Sequence, residues 1–252
     1  MTRDPNALPE PSAVRRGALV LGLTLVAGST DAISYLGLDR VFTANMTGNT
    51  VLLGVAVAQR DAGAAGRSAA ALGGFVVGAT LVGLAPSRKS GLRSVSAALI
   101  GEVALLAGLL GWWMVAGSAP TGAVRDGLIA VAGTAMGVQS AAVARLGVPG
   151  VATTYITGTW TGITAGVASW LRGRRPVGRG RPGPVAEPTG VAGPKVRRGL
   201  QVAVVAVYLG GAIASGFAHD AWGAAAASVP LGILACVLAV TALPPDRGGI
   251  DS

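Results

Sequence analysis

Six apolar stretches, each long enough to cross a bilayer as a helix, recur along the chain. A membrane-spanning helix needs about 17 to 25 predominantly apolar residues. The stretches that meet this requirement are 17–38, 69–85, 95–115, 127–144, 199–217 and 222–243. Only 12% of the residues are charged, whereas an average soluble domain has about 25%. The sequence therefore predicts an all-α membrane protein that crosses the lipid bilayer several times.

Two polar-centred segments with similar sequences interrupt this apolar pattern. The first is FTANMTGNTVLLG at 42–54 and the second is ATTYITGTWTGIT at 152–164. Aligning the two halves of the chain pairs polar residues and glycines that an apolar composition explains poorly: Thr43 with Thr153, Thr47 with Thr157 and Gly48 with Gly158. We therefore expect two structural repeats, 17–117 and 127–243, joined by a connecting loop at 118–126.

Two topologies are compatible with this pattern, and they differ in whether the polar-centred segments cross the membrane. If both segments cross, the chain has eight spans in two parallel halves. If both enter and return on the same side, it has six spans plus two discontinuous or re-entrant segments. Each repeat then has an odd number of spans, so the repeats are inverted, a common plan among secondary transporters. The arrangement of six spans with inverted repeats is the favoured prediction.

Much of the positive charge is concentrated in one loop. The chain has a net charge of +9, and the segment 172–198 combines many arginines with prolines and glycines. Such a segment cannot bury a core and is expected to be a flexible loop. Because Lys and Arg beside membrane spans mark the cytoplasmic side, this loop, the N-terminal tail 1–16 and the C-terminal tail 244–252 are expected in the cytoplasm. The basic composition therefore does not require a nucleic-acid partner.

Each polar-centred segment is typical of an extended stretch followed by a short helix. Thr47 or Asn49 is expected to begin the first short helix, since Thr and Asn are good N-terminal caps. Two such helix N-termini would direct free amides toward a common midplane, where they could bind an anion or a small polar solute. The candidate substrate-binding residues are Asp31, Thr43, Asn45, Thr47, Gly48, Asn49, Gln139, Thr153, Tyr155, Thr157, Gly158 and Thr159.

The same segments also have a purely structural interpretation. Thr and Asn side chains can hold membrane helices together, and Gly158, Gly162 and Gly166 have the spacing of a close-packing face of small residues. Both interpretations remain open at the level of sequence. Small-residue faces would also allow the chain to form a homo-oligomer.

Two acidic residues, Asp31 and Glu102, fall within apolar stretches. An acid inside a membrane span is a candidate functional residue because burying it unpaired is costly. Asp31 has two interpretations: a carboxyl group that exchanges protons in a partly desolvated cavity, or a fixed structural partner of Arg40. For Glu102 a position near a helix end is expected, because Arg93 is close in the sequence.

Enzyme motifs cannot be recognised in the sequence. The chain has one His and one Cys, and it shows no metal-ligand spacing, phosphate-binding loop or nucleophile–base pair. We therefore predict no catalytic residue, no metal ion and no cofactor.

The segments GSTDAISYLGLDRVFTANMTGNTVLLG and GVQSAAVARLGVPGVATTYITGTWTGI resemble the paired signatures of the YoaK family, small bacterial membrane proteins of a domain-of-unknown-function class. The resemblance spans residues 17–243. Where the family commonly has Gln-Asn-Ala, this chain has Gln139, Ser140 and Ala141. The resemblance implies a multi-pass protein of the bacterial cytoplasmic membrane and no established substrate. The residues themselves favour a small-solute secondary transporter or permease, with a non-transporting scaffold or lipid-interacting protein as the alternative.

Overall fold

The computed structural model describes residues 13–85, 92–117, 119–145, 164 and 194–242. These residues form α-helices and one short 3-10 helix, and no β-strand occurs among them. The helices are α1 (Ala13–Gly37), α2 (Met46–Ala58), α3 (Ala62–Leu84), α4 (Leu92–Ala116), α5 (Gly122–Arg145), α6 (Pro194–Trp222) and α7 (Ser228–Ala242), with the 3-10 helix Gly223–Ala227 between α6 and α7. The predicted all-α class is confirmed.

Five helical segments in the described ranges are long and apolar enough to cross a membrane: Val14–Gly37, Ala62–Leu84, Ser94–Ala116, Gly122–Arg145 and Gly199–Thr241. The last of them has 43 residues. As one straight helix it would extend about 65 Å, roughly twice the thickness of a bilayer core. The 3-10 helix divides it, beginning at Gly223, whose φ of 56° is readily adopted only by glycine.

Local capping sets helix boundaries that hydropathy alone misplaces. Helix α3 begins at Ala62 rather than near residue 69, because Asp61 caps it by accepting a hydrogen bond of 2.9 Å from the amide of Ala64. Two further helices begin inside predicted loops: α5 at Gly122 within 118–126, and α6 at Pro194 within 172–198.

Contacts at the two ends of the bundle determine the directions of α1, α6 and α7. At one end, Arg15 on α1 donates hydrogen bonds to the carbonyls of Val240 and Thr241 on α7, at 2.8 and 2.9 Å. At the other end, Gly37 on α1 lies against His219 on α6. Helices α1 and α6 are therefore parallel, and α7 returns antiparallel to both.

The other long helices alternate in the same way. Asp39, just beyond α1, accepts from Arg67 at 3.1 Å and from Arg125 at 2.9 Å, near the starts of α3 and α5. At the opposite end, Arg145 at the end of α5 donates to the hydroxyl of Ser94 near the start of α4, at 2.5 Å, and to the carbonyl of Val82 near the end of α3. Helices α3 and α5 therefore run opposite to α1, and α4 runs parallel to it.

Glycines allow two helix pairs to approach closely. A side chain at Gly133 on α5 would place its Cβ 2.6 Å from the carbonyl oxygen of Ala71 on α3, and one at Gly211 on α6 would lie 2.8 Å from the carbonyl oxygen of Leu25 on α1. Further close contacts of this kind are made by Gly28, Gly74, Gly78 and Gly137. Backbone contact through small residues is a common way for membrane helices to associate, and it makes α1–α6 and α3–α5 the closest pairs in the bundle.

Candidate functional site

The chain turns back into the bundle directly after α1. We call residues 38–45 the return loop. Asp39 and Arg40 have φ of 66° and 62°, left-handed values that are uncommon outside glycine. The amide of Arg40 donates to the carbonyl of Tyr35 at 3.0 Å, which closes the end of the helix. The two left-handed residues reverse the chain, so that residues 43–45 lie beside α1 rather than beyond its end.

The return loop is held by the carboxyl group of Asp31. Oδ1 of Asp31 accepts hydrogen bonds from the backbone amides of Thr43, Ala44 and Asn45, at 2.8, 2.7 and 3.3 Å. Asp31 is only 3% exposed. A carboxylate that accepts backbone amides makes strong, charge-assisted hydrogen bonds. The free amides that precede α2 are therefore bound by an acid of the protein itself.

Two asparagines complete the fold of the loop. Asn45 caps α2 by accepting a hydrogen bond of 3.1 Å from the amide of Gly48. Asn49 is fully buried and bonds Phe42 twice, accepting from its amide at 3.0 Å and donating to its carbonyl at 2.5 Å. The backbone polar groups of this non-helical segment are thus bonded within the protein, as a segment in an apolar environment requires.

Tyr208 on α6 joins the site from a distant part of the sequence. Its hydroxyl group donates to Oδ2 of Asp31. The tyrosine reaches Asp31 because α1 and α6 pack closely, with Gly28 against the carbonyl group of Tyr208. Together with the three amides, this hydroxyl gives Asp31 four hydrogen bonds, about as many as a carboxylate can accept. Asp31 forms no ion pair with Arg40, whose side chain is exposed, so the predicted pairing of the two is wrong.

A cavity of about 290 Å³, open on one side between the exposed side chains of Tyr35 and Leu36, lies beside this junction. Its lining includes Asp31, Tyr35, Leu36, Phe42, Tyr208 and Ala212. Tyr35 and Phe42 are stacked, with ring centroids 5.1 Å apart, and form one aromatic wall. The surface of the cavity is almost entirely apolar and aromatic, and Asp31 and Tyr208 are its polar lining residues.

The structure brings together some of the predicted site residues and separates others. Asp31, Thr43, Asn45, Gly48 and Asn49 are in one hydrogen-bonded unit, and Ser34 joins it through a 3.0 Å contact between its hydroxyl and that of Thr43. Two predicted site residues do not share in it. Thr47 is exposed, and Gln139 on α5 donates to the carbonyl of Leu23 on α1 at 3.0 Å. The remaining ones lie outside the described residues: Thr153, Tyr155, Thr157, Gly158 and Thr159.

Sequence reasoning missed Tyr208, whereas it located the start of α2 to within one residue. The one available signal for Tyr208 was a tyrosine within an apolar span, because a buried tyrosine hydroxyl usually finds a hydrogen-bond partner. Its partner is 177 residues away, which no local pattern reveals. Helix α2 begins at Met46, with Asn45 as its cap, one residue before Thr47, near which its start was predicted.

Glu102 does not lie near a helix end, so that prediction is wrong. It is in the middle of α4 and fully buried. Neither of its carboxyl oxygens has a hydrogen-bond partner in the described structure. Proximity to Arg93 in the sequence was misleading, because the position of Glu102 on the helix surface directs it into the core.

The described residues contain no group of three or more His, Cys, Asp or Glu side chains that could hold a metal ion.

Residues 19–240 match the family model described as "Protein of unknown function (DUF1275)". A curated relative, the UPF0700 transmembrane protein YoaK of Bacillus subtilis (strain 168), is 32% identical over 163 residues, which cover 64% of this chain and 71% of the relative. No solved structure matches the chain.

Proposed function

The chain belongs to the DUF1275 family, as its resemblance to the YoaK family led us to expect, and we propose that this integral membrane protein is a small-solute secondary transporter or permease. The observation that carries the proposal is the cavity of about 290 Å³ beside the junction of Asp31, Tyr208 and the return loop. Non-helical backbone at membrane depth is tolerated where it is buried in protein or lines a cavity. In the return loop, Thr43 and Ala44 are buried and Phe42 lines the cavity.

The proposed membrane arrangement has six crossings, formed by α1, α3, α4, α5, α6 and α7 in alternating directions. In this arrangement the return loop and α2 are a re-entrant segment that enters and leaves on the side where α1 ends. The second polar-centred segment would enter from the opposite side, as in an inverted repeat. In the proposed orientation the loop 172–198 and both termini are in the bacterial cytoplasm, which the positive charge of that loop supports.

The geometry of the first polar segment favours a neutral polar solute over an anion. The amides of residues 43–45, which could have held an anionic group, already donate to Asp31. A second negative charge beside this acid would be repelled in surroundings of low polarity. A small metabolite with hydroxyl or amide groups and some apolar surface would meet the tyrosine hydroxyl groups and the aromatic wall instead.

A ligand screen with one cavity-filling variant tests this function. The purified protein is screened by thermal shift against neutral polar metabolites, amino acids, carboxylates and inorganic anions, since a bound ligand raises thermal stability. Ala212→Phe, which places a ring in the cavity, should abolish the shift of any solute found. Ile213→Phe is the matched control, because Ile213 is 52% exposed and adjacent on the same helix. A solute shift that survives Ala212→Phe would contradict the proposed site.

A non-transporting scaffold is the second candidate function. The observation that favours it is the close glycine contact between α3 and α5, where Gly78 and Gly137 face backbone of the partner helix. Such close packing leaves no space for a solute between these two helices, as expected of a scaffold that does not transport. Uptake of a solute into reconstituted vesicles distinguishes the transporter from the scaffold.

A further inference from the structure

The buried face of α4 has an acid at its centre. Residues buried on this helix recur at the three- and four-residue spacing of one helix face: Val95, Leu99, Glu102, Leu106, Leu109 and Trp113. Every member except Glu102 is apolar or aromatic. Glu102 is 0% exposed, and its two carboxyl oxygens have no hydrogen-bond partner. The side chain therefore points into the core and not toward an interface.

The charged groups of the neighbouring elements are engaged elsewhere. Helix α4 packs against α5, α7 and the 3-10 helix. On α5, Arg125 pairs with Asp39 and Asp126 at one end, and Arg145 bonds α3 and α4 at the other. Helix α7 and the 3-10 helix contain no charged residue, and the thiol of Cys236 on α7 is exposed.

Asp31 and His219 are the other titratable side chains near this core. Asp31 on α1 accepts four hydrogen bonds. Nδ1 of His219 is buried without a partner, but His219 lies at the far end of α6, beside Trp113 and about three helical turns from Glu102 along α4. No cation among the described residues therefore pairs with Glu102.

An acid in these surroundings is uncharged. An unpaired carboxylate in the interior of a membrane bundle costs several kcal/mol, and such a group takes up a proton instead. Asp31, by contrast, accepts three backbone amides on Oδ1 and the Tyr208 hydroxyl on Oδ2, and these four hydrogen bonds fix it in place. Helix α5 contributes two more buried acceptors without partners, Oε1 of Gln139 and Oγ of Ser140. Further buried polar atoms without partners lie on Trp113 of α4 and on Ser215 and His219 of α6. A rearrangement that admits water to the core would satisfy such atoms.

We propose that Glu102 is the proton-exchanging group of this protein, a role that rests on the proposed transport function. In the conformation described here, Glu102 is a neutral acid enclosed in the core. When the bundle opens toward water, the acid releases its proton to that side and becomes a carboxylate, and it takes up a proton again when it is exposed on the other side. Asp31, Tyr208 and the return loop form the fixed wall of the solute cavity, and they do not exchange the coupling proton.

Infrared spectroscopy of the protein in lipid tests the protonation directly and needs no solute. A protonated buried carboxyl group absorbs apart from ionised carboxylates, so Glu102 should give a band that weakens as the buffer changes from mildly acidic to mildly alkaline. Glu102→Gln should remove this band. Asp61→Asn, which changes an exposed helix cap, is the matched control and should leave it unchanged. A band that is absent in the unmodified protein, insensitive to buffer, or retained in Glu102→Gln would overturn the proposal.

Vesicle assays separate this inference from the proposed function. With a solute identified by the screen, Glu102→Gln should keep solute exchange across the membrane but lose the acceleration of uptake by a pH gradient. Loss of solute exchange in Ala212→Phe would support the cavity as the solute site. If Glu102→Gln still showed uptake driven by a pH gradient, the proposed role of Glu102 would be refuted. If the protein transports no solute but shows a pH-sensitive infrared band assigned to Glu102, the proposed transport function is refuted. The protein would then bind and release protons without transporting a solute.

Discussion

At the scale of single residues, the two buried acids of this protein differ in what surrounds them. Asp31 accepts three backbone amides and the hydroxyl of Tyr208, whereas Glu102 has no partner among the described residues. By hydropathy alone the two cannot be distinguished, because each is a single acidic residue in an apolar helix. The hydrogen bonds assign Asp31 to the anchoring of the return loop and leave Glu102 free to change its protonation state.

The anchoring role of Asp31 predicts a loss of stability on its removal. Asp31→Ala leaves three buried amides without an acceptor, and each unsatisfied buried group costs about 1 to 3 kcal/mol. We expect the free energy of unfolding in detergent to fall by about 3 kcal/mol or more. Arg40→Gln should have no effect, because Arg40 is exposed and forms no ion pair with Asp31. Equal destabilisation by Asp31→Ala and Arg40→Gln in thermal melts would indicate that Asp31 pairs with Arg40. It would refute the role of Asp31 in anchoring the return loop.

At the scale of helices and loops, close packing and capping explain the architecture better than hydropathy does. The α3–α5 and α1–α6 pairs are defined by glycines that face the backbone of the partner helix, as at Gly74 and Gly28. The return loop is defined by the left-handed residues Asp39 and Arg40 and by the caps of α2. Both features depend on individual residues within otherwise apolar or variable sequence.

Neighbouring glycines on α3 provide a matched test of the packing. Gly74 faces the carbonyl of Ala130 on α5, whereas Gly73 has open space around it. Gly74→Ala should therefore destabilise the protein by about 1 to 3 kcal/mol through overpacking. Gly73→Ala should be neutral or slightly stabilising, since alanine favours the helix. Thermal melts in detergent compare the two, and equal stabilities would show that α3 and α5 are not in backbone contact.

At the scale of the whole molecule, the alternating helices place the two described termini at one end of the bundle, where Arg15 meets Val240. In the proposed orientation, which follows the distribution of basic residues near the spans, this end is cytoplasmic. In a Cys236→Ala background, Val185→Cys should be protected from an impermeant thiol reagent in intact cells and labelled after permeabilisation. Labelling in intact cells would show that position 185 faces the outside of the cell, which would contradict the proposed orientation.

Much of the fold could be predicted from the sequence, because helix class and span positions follow from apolar stretches that are about as long as a bilayer is thick. The cluster around Thr43, Asn45 and Asn49 was also foreseeable, since polar residues in an apolar segment need internal partners. The contact between Tyr208 and Asp31 and the core position of Glu102 could not be predicted from the sequence. Both depend on which faces of distant helices meet. For Tyr208 that is decided by the close contact of Gly28 on α1 with α6, whereas Glu102 lies on the face of α4 that packs on the core.

The most direct test of the account is whether the cavity beside Asp31 contains water. Two cysteine variants in a Cys236→Ala background, Ala212→Cys in the cavity lining and Ile213→Cys on the exposed face of α6, are treated with a water-soluble thiol reagent in lipid. Because a thiol reacts as its hydrated thiolate, Ala212→Cys should react at least about tenfold faster than Ile213→Cys, which faces lipid. An unreactive Ala212→Cys would show a dry centre and contradict a solute pathway at this site.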